Sequence, residues 1–132
     1  MTKPVVTVNA KDVYAGLRRL ARNASDANLG IALMAGALLI VNRAKELAPF
    51  DTGTLRRSIT QSKWFKSGNQ IAVRIGTNVI YAARLEFGYT GPDRLGRTFS
   101  QRPRPYLRPA FNEKLNEALN TVAKVLRKLL FV

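Results

Sequence analysis

Between Asp26 and Arg43 the chain carries no charged residue, and from Leu29 to Val41 it reads LGIALMAGALLIV. At helical spacing such a run is apolar on every side, and a helix that is hydrophobic all round has to be buried all round. Gly30, Ala32, Ala35, Gly36 and Ala37 let neighbouring backbones approach closely. The uncharged stretch from Ala27 to Asn42 is too short to span a bilayer and holds two glycines. We therefore expect the central helix of a folded core, or a helix buried partly by another subunit. Ser25 or Asp26 can cap its start and Pro49 closes it.

The flanking segments supply what would cover it. VNAKDVYAGLRRLARN begins with Asn9 as N-cap and Asp12 near the positive helix end, with Val13, Leu17, Leu20 and Ala21 at helical spacing. SITQSKWFK, Ser67-Gly68-Asn69 and QIAVRIGT predict a hairpin, in which Ile71, Val73 and Ile75 alternate as in a half-buried strand. VIYAARLEFG returns to helical spacing and stops at Gly88. Residues 88–105, with three glycines and three prolines, show no periodicity and read as an extended basic loop. From Pro105 a long helix follows, with Phe111, Leu115, Ala118, Leu119, Val122, Leu126, Leu129 and Leu130 as its apolar stripe. Pro109 is tolerated because first-turn N–H groups have no intrahelical acceptor. The order α-α-β-β-α-α predicts an α+β fold in one domain spanning residues 1–132, with a small antiparallel hairpin against the buried helix and the long C-terminal helix.

Composition narrows the chemistry. With no cysteine and no histidine there is no disulfide, no thiolate, and neither the commonest metal ligand nor the commonest general base. We expect no metal site and no cofactor. Twenty-two Lys+Arg against eight Asp+Glu give a net charge of +14, which favours phosphate, acidic protein faces or anionic lipid. The basic residues run from Lys3 to Lys128, so the charge belongs to a folded body. The N-terminus lacks the apolar region of a signal peptide, and a soluble intracellular product is expected.

The triplet Asp51-Thr52-Gly53 in PFDTGTL is shared with aspartic proteases. Their dyad needs two carboxylates on loops between buried strands, sharing a proton at close range. Here a long helix precedes the triplet, and Arg56 and Arg57 follow it closely. The residues fit a turn better: Asp51 accepts backbone N–H groups as a cap, Gly53 bends, and Leu55 and Ile59, one helical turn apart, pin the turn to the core.

Three segments, taken in order, resemble one family. They are APFDTGTLRRSI, IYAARLEFG, and RPRPYLRPAF leading into the long amphipathic helix. They are similar to the P-x-D-T-G-x-L-R-x-S-I, Y-A-x-x-x-E-F-G and P-x-P-[FY]-L-R-P-A-F blocks of the neck or tail-completion (head–tail joining) proteins of long-tailed bacteriophages. The resemblance covers about residues 27–130. It implies a virion structural protein without enzymatic activity that forms a homo-oligomeric ring at the head–tail junction. Its partners would be the head connector or head-closure protein and the tail-tube or tail-terminator protein. Double-stranded DNA would pass nonspecifically, no membrane would be involved, and assembly would take place in the host cytoplasm. By position, the family's motif residues fall on Asp51, Thr52, Gly53, Leu55, Arg56, Ser58, Tyr81, Glu86, Phe87, Gly88, Pro105, Leu107, Arg108, Pro109 and Phe111.

Two readings of particular residues accompany the resemblance. Arg94, Arg97, Arg102 and Arg104 lie in the Gly/Pro-rich segment opposed only by Asp93. They suit contact with a neighbouring subunit or with DNA phosphates, or else a mobile solvated loop. Glu86, in an apolar and aromatic setting, is expected to pair with Arg56 or Arg108, or else to lie on the surface. A buried pair of that kind fixes geometry more surely than it adds stability. The rival reading of the whole chain, motivated by its charge, is a sequence-nonspecific nucleic-acid-binding protein.

Overall fold

A computed structural model describes residues 10–49 and 53–131. The long apolar run forms a helix, Asp26–Leu47, which is the second in the chain, α2. Ser25 caps it, its Oγ accepting from Asn28 N at 3.2 Å. At 22 residues α2 is longer than the uncharged stretch alone suggested, and its length and composition would allow it to cross a membrane. Its packing is that of a core helix. Gly30, Ala32, Gly36, Ala37, Ile40, Val41 and Ala44 are buried, and α2 lies antiparallel along the C-terminal helix α5, Leu107–Leu130.

Small residues set that approach. A Cβ added to Gly36 would stand 2.7 Å from the Ala118 carbonyl oxygen and 2.5 Å from Val122 Cγ2, so only glycine lets α5 come this near. The ring of Trp64 lies over Gly30 in the same way. The covering is incomplete, however. Ile31 and Leu38, two turns apart on α2, remain half exposed, so the expected all-round burial is not met within one chain. On α5 the inward face runs through Leu107, Ala110, Ala118 and Val122, while Phe111 and Leu119 from the expected stripe point outward. The two alanines at the contact line explain the offset, because a bulkier side chain there would push the helices apart.

The first helix, α1 (Ala10–Asn23), forms as its periodicity predicts, yet none of its residues is buried. Its end is tied down by side-chain amides. Asn23 Nδ2 donates to Leu130 O at 2.9 Å, and Asn28 Nδ2 donates to Asn23 O at 2.6 Å. Asn9, the expected N-cap, lies outside the described residues.

After α2 come the short α3 (Thr54–Ser58) and the predicted hairpin, which is interrupted rather than continuous. β1 (Thr60–Gln61) pairs antiparallel with β4 (Ile75–Gly76), and β2 (Phe65–Ser67) with β3 (Gln70–Ala72). At the break Ser62 carries the pairing: its N donates to Arg74 O at 2.8 Å and its Oγ accepts from Arg74 N at 2.9 Å. The hairpin runs along α2, and Lys66 meets Asp26 at the far end. The helix α4 (Ala82–Phe87) follows.

The segment expected to be an extended loop is ordered. β5 (Tyr89–Pro92) and β6 (Thr98–Gln101) form a second antiparallel hairpin. Asp93 organises its tip: Oδ1 accepts from Leu95 N at 2.9 Å and Arg97 N at 2.8 Å, and Oδ2 from Arg97 Nε at 2.9 Å. The hairpin escaped the sequence reading because Thr, Ser and Gly positions with two aromatics give no alternation, so the turn chemistry of one aspartate decides the structure. The architecture is α+β: two packed antiparallel helices, small two-stranded sheets, and short helices gathered at one end.

Candidate functional site

The most elaborate side-chain arrangement lies where α4 meets the start of α5. Glu86, in the last turn of α4, is buried with 8% exposure. Its Oε2 accepts from Tyr106 N at 2.8 Å and Leu107 N at 3.0 Å, and its Oε1 from Arg108 N at 3.0 Å. These are among the first N–H groups of α5, which have no intrahelical acceptor and sit at the positive end of the helix dipole. Tyr106, at the N-cap position itself, makes no capping bond with its side chain. Glu86 therefore caps a helix twenty residues downstream.

This corrects the expected ion pair. The carboxylate oxygens are taken by backbone N–H groups rather than by the Arg56 or Arg108 guanidinium, and Arg108 contributes its amide and the longer-range effect of its charge. Burial pushes the Glu86 carboxyl up, but the three N–H donors and Arg108 outweigh it and hold the group below the usual glutamate range.

Gly88 is what allows Glu86 to face α5. It ends α4 with φ 78, in the left-handed region, and a Cβ there would stand 3.0 Å from Gln101 O and from Pro103 Cδ. The chain can then leave into β5, run round the hairpin and return against α4, where Arg104 N donates to Leu85 O at 2.6 Å. Over the outer side of this turn the Arg84 guanidinium sits 4.0 Å from the centre of the Tyr89 ring.

The three motif segments meet in one core. Leu55 and Ile59 from the first, Ala82 from the second, and Tyr106 and Ala110 from the third are all buried together against Ile40, Val41, Ala44 and Ala48. Leu107 packs at the edge of this cluster. Gly53 takes φ 81 ahead of α3, as the turn reading requires. Asp51 and Thr52 lie outside the described residues. Ser58 Oγ donates to Leu55 O at 2.6 Å and bonds Thr77 Oγ1, whose oxygen also accepts from Val79 N at 3.1 Å, so α3 is tied to the end of β4.

Of the other expected site residues, Phe87, Pro105, Arg108 and Pro109 line one surface pocket with Glu86, and Tyr81 lines another with Gly53, Leu55 and Arg104. Arg56 is half-buried on α3, and Phe111 is exposed. All four arginines expected to make contacts, Arg94, Arg97, Arg102 and Arg104, are exposed, and Arg97 also pairs with Asp93 at the hairpin tip. Ile59, expected to pin the turn to the core, does so, and Tyr106 is the central residue that was missed. These two are the largest fully buried side chains, and the signal for Tyr106 was its place inside the third segment. The Tyr106 hydroxyl has no hydrogen-bond partner among the described residues, and burial pushes its pKa up.

Among the described residues the arrangement holds backbone and brings no nucleophile, base or acid toward a shared point. It defines a small α+β structural module whose buried carboxylate joins two helices. The comparison with known families agrees with that class. Residues 7–88 match the family described as "Bacteriophage HK97-gp10, putative tail-component", and the chain belongs to this family. The protein is thus a phage tail-associated structural component, as the long-tailed-phage resemblance implied. The match takes in α1 and ends at Gly88, so the start of α5 lies beyond it. No curated protein and no solved structure matches the chain.

Proposed function

We propose that the protein is a subunit of a closed homo-oligomeric ring at the head–tail junction. The ring would join the head connector or head-closure protein to the tail tube or its terminator. Double-stranded DNA would pass through it without base-specific contact and without catalysis. The observation that carries this reading is the uncovered stripe of α2 in a member of a phage tail-component family. Ile31 is 50% exposed and Leu38 48% exposed on a helix whose other side packs in the core. A stripe of that kind on a core helix suits burial by a neighbouring subunit. The net charge of +14 fits a wall facing DNA, with diffuse cations neutralising phosphates and releasing counterions regardless of sequence.

The test is a phage lacking this protein. Filled heads and separate tails should accumulate, and adding the purified protein should restore joined, infectious particles. Leu38→Glu should fold yet fail to restore them. Joined and infectious particles formed without the protein would overturn the proposal. The nucleic-acid-binding reading retains one supporting observation, the charge. It predicts submicromolar binding to arbitrary duplex DNA that falls steeply with salt, whereas a ring subunit binds weakly as a monomer.

A further inference from the structure

A second uncovered surface lies at the opposite end of the molecule from the Glu86 cap. α1 turns Gly16, Leu20 and Asn23 partly toward the end of α5, and Val13, Tyr14 and Leu17 remain 44%, 66% and 58% exposed. Between the helices runs a groove lined by Val13, Leu17 and Leu20 on one side and Leu130 and Phe131 on the other. Phe131 itself is 71% exposed. The Asn23–Leu130 bond holds the two walls together. Nothing in α1 is buried, so the helix is retained in the fold without filling the core.

The rim of this groove is cationic. Arg19 lies along it, and Arg127 and Lys128 belong to the last turn of α5, next to Leu130. None of these three forms an ion pair among the described residues. The chain has little to offer them in return. Asp26 pairs with Lys66, Glu46 and Glu113 with Arg43, Asp93 with Arg97, and Glu117 with Lys114, while Glu86 is spent on the start of α5. Among the described residues that leaves Asp12, one carboxylate on the same helix as Arg18, Arg19 and Arg22. A second copy laid on α1 would seal the apolar strip and leave the rim facing cations.

We propose that the α1–α5 groove docks an amphipathic helix with acidic flanks from a different protein, its apolar face on Val13, Leu17 and Phe131 and its carboxylates on Arg19 and the basic last turn of α5. This surface is separate from the α2 stripe invoked for the ring. It would serve a heterologous contact, where apolar burial supplies affinity and charge selects the partner.

The test uses the full-length protein and a synthetic helical peptide with leucines at i, i+3, i+4 and i+7 and glutamates flanking them. Controls are a scrambled peptide of equal charge and one with lysines in place of the glutamates. The patterned acidic peptide should bind at least tenfold more tightly than either control, and hydrogen exchange should slow at residues 13–20 and near 131. Leu17→Glu, at a position without core contacts, should abolish the preference while circular dichroism stays unchanged. Equal binding of the scrambled peptide, or no binding, overturns the proposal. So does a loss of self-association in Leu17→Glu, which would make a second copy the occupant. Leu38→Glu should leave peptide binding intact, so failure of the ring reading and of this one are distinguishable.

Discussion

Replacing Glu86 by alanine removes the acceptor for three N–H groups at once, at 2.8, 3.0 and 3.0 Å. Loss of a helix cap costs about 0.5–2 kcal/mol in general. Tyr106 is fully buried, so its orphaned N–H adds about 1–3 kcal/mol of unmet desolvation, while water can reach the part-buried Leu107 and Arg108 amides. The sum for Glu86→Ala is roughly 2–4 kcal/mol, since such contributions overlap. Glu86→Gln keeps an acceptor oxygen but loses the charge at the positive helix end, for about 1–2 kcal/mol. Urea denaturation at pH 7 measures both. The pH dependence is the sharper part. The folded-state carboxyl of Glu86 is held below the usual glutamate range, so its contribution is present above the unfolded pKa and is lost as pH falls through the folded one. The gap between wild type and Glu86→Gln should therefore hold from pH 7 to about pH 5 and close below about pH 4. A gap that persists unchanged into acid, or Glu86→Ala within about 0.5 kcal/mol of wild type, would refute the capping argument.

Three further outcomes follow from the packing. Gly36→Ala forces a methyl to 2.7 Å from the Ala118 carbonyl, and the overpacking should outweigh the gain in helix propensity by roughly 1–2 kcal/mol; an unchanged urea midpoint would contradict the close approach of α2 and α5. Tyr106→Phe deletes a buried hydroxyl without a partner among the described residues and should be neutral or stabilising by about 1 kcal/mol, whereas a clear loss would mean that the hydroxyl is bonded. Asp93→Ala should loosen only the hairpin tip, with faster exchange at the Leu95 and Arg97 amides and new trypsin cleavage after Arg94 or Arg97, while the global transition stays in place. Hydrogen bonds, led by that from the Arg97 amide, hold the Asp93 carboxyl below the usual aspartate range, so the tip should stay ordered above that range and loosen only in acid; exchange rates unaffected by the mutation would count against its role.

Much of the fold was legible because its signals are local. The uncharged run gave α2, periodicity gave α1 and α5, and Ser67-Gly68-Asn69 gave the turn between β2 and β3. What escaped depends on pairs far apart in sequence. The Glu86 cap joins residues twenty apart, and a glutamate in an aromatic setting looks the same whether an arginine or a helix terminus satisfies it. The register of α5 escaped because Phe111 and Leu119 are more apolar than Ala110 and Ala118. The contact line is chosen by how near α2 can come, which rewards the smaller side chains. The β5–β6 hairpin escaped because its strands carry little hydrophobic pattern. The gathering of the three motif segments was legible only as their order along the chain, and the core around Tyr106 and Ile59 supplies the physical reason for it.

The central claim is that this structural component works as a ring between head and tail, and a cryo-EM reconstruction of the junction in purified virions tests it most directly. The account predicts a closed ring of this chain at the junction, with Ile31 and Leu38 of α2 buried against the adjacent subunit. Density for the chain elsewhere in the tail, or subunits at the junction with that stripe facing solvent, would contradict it.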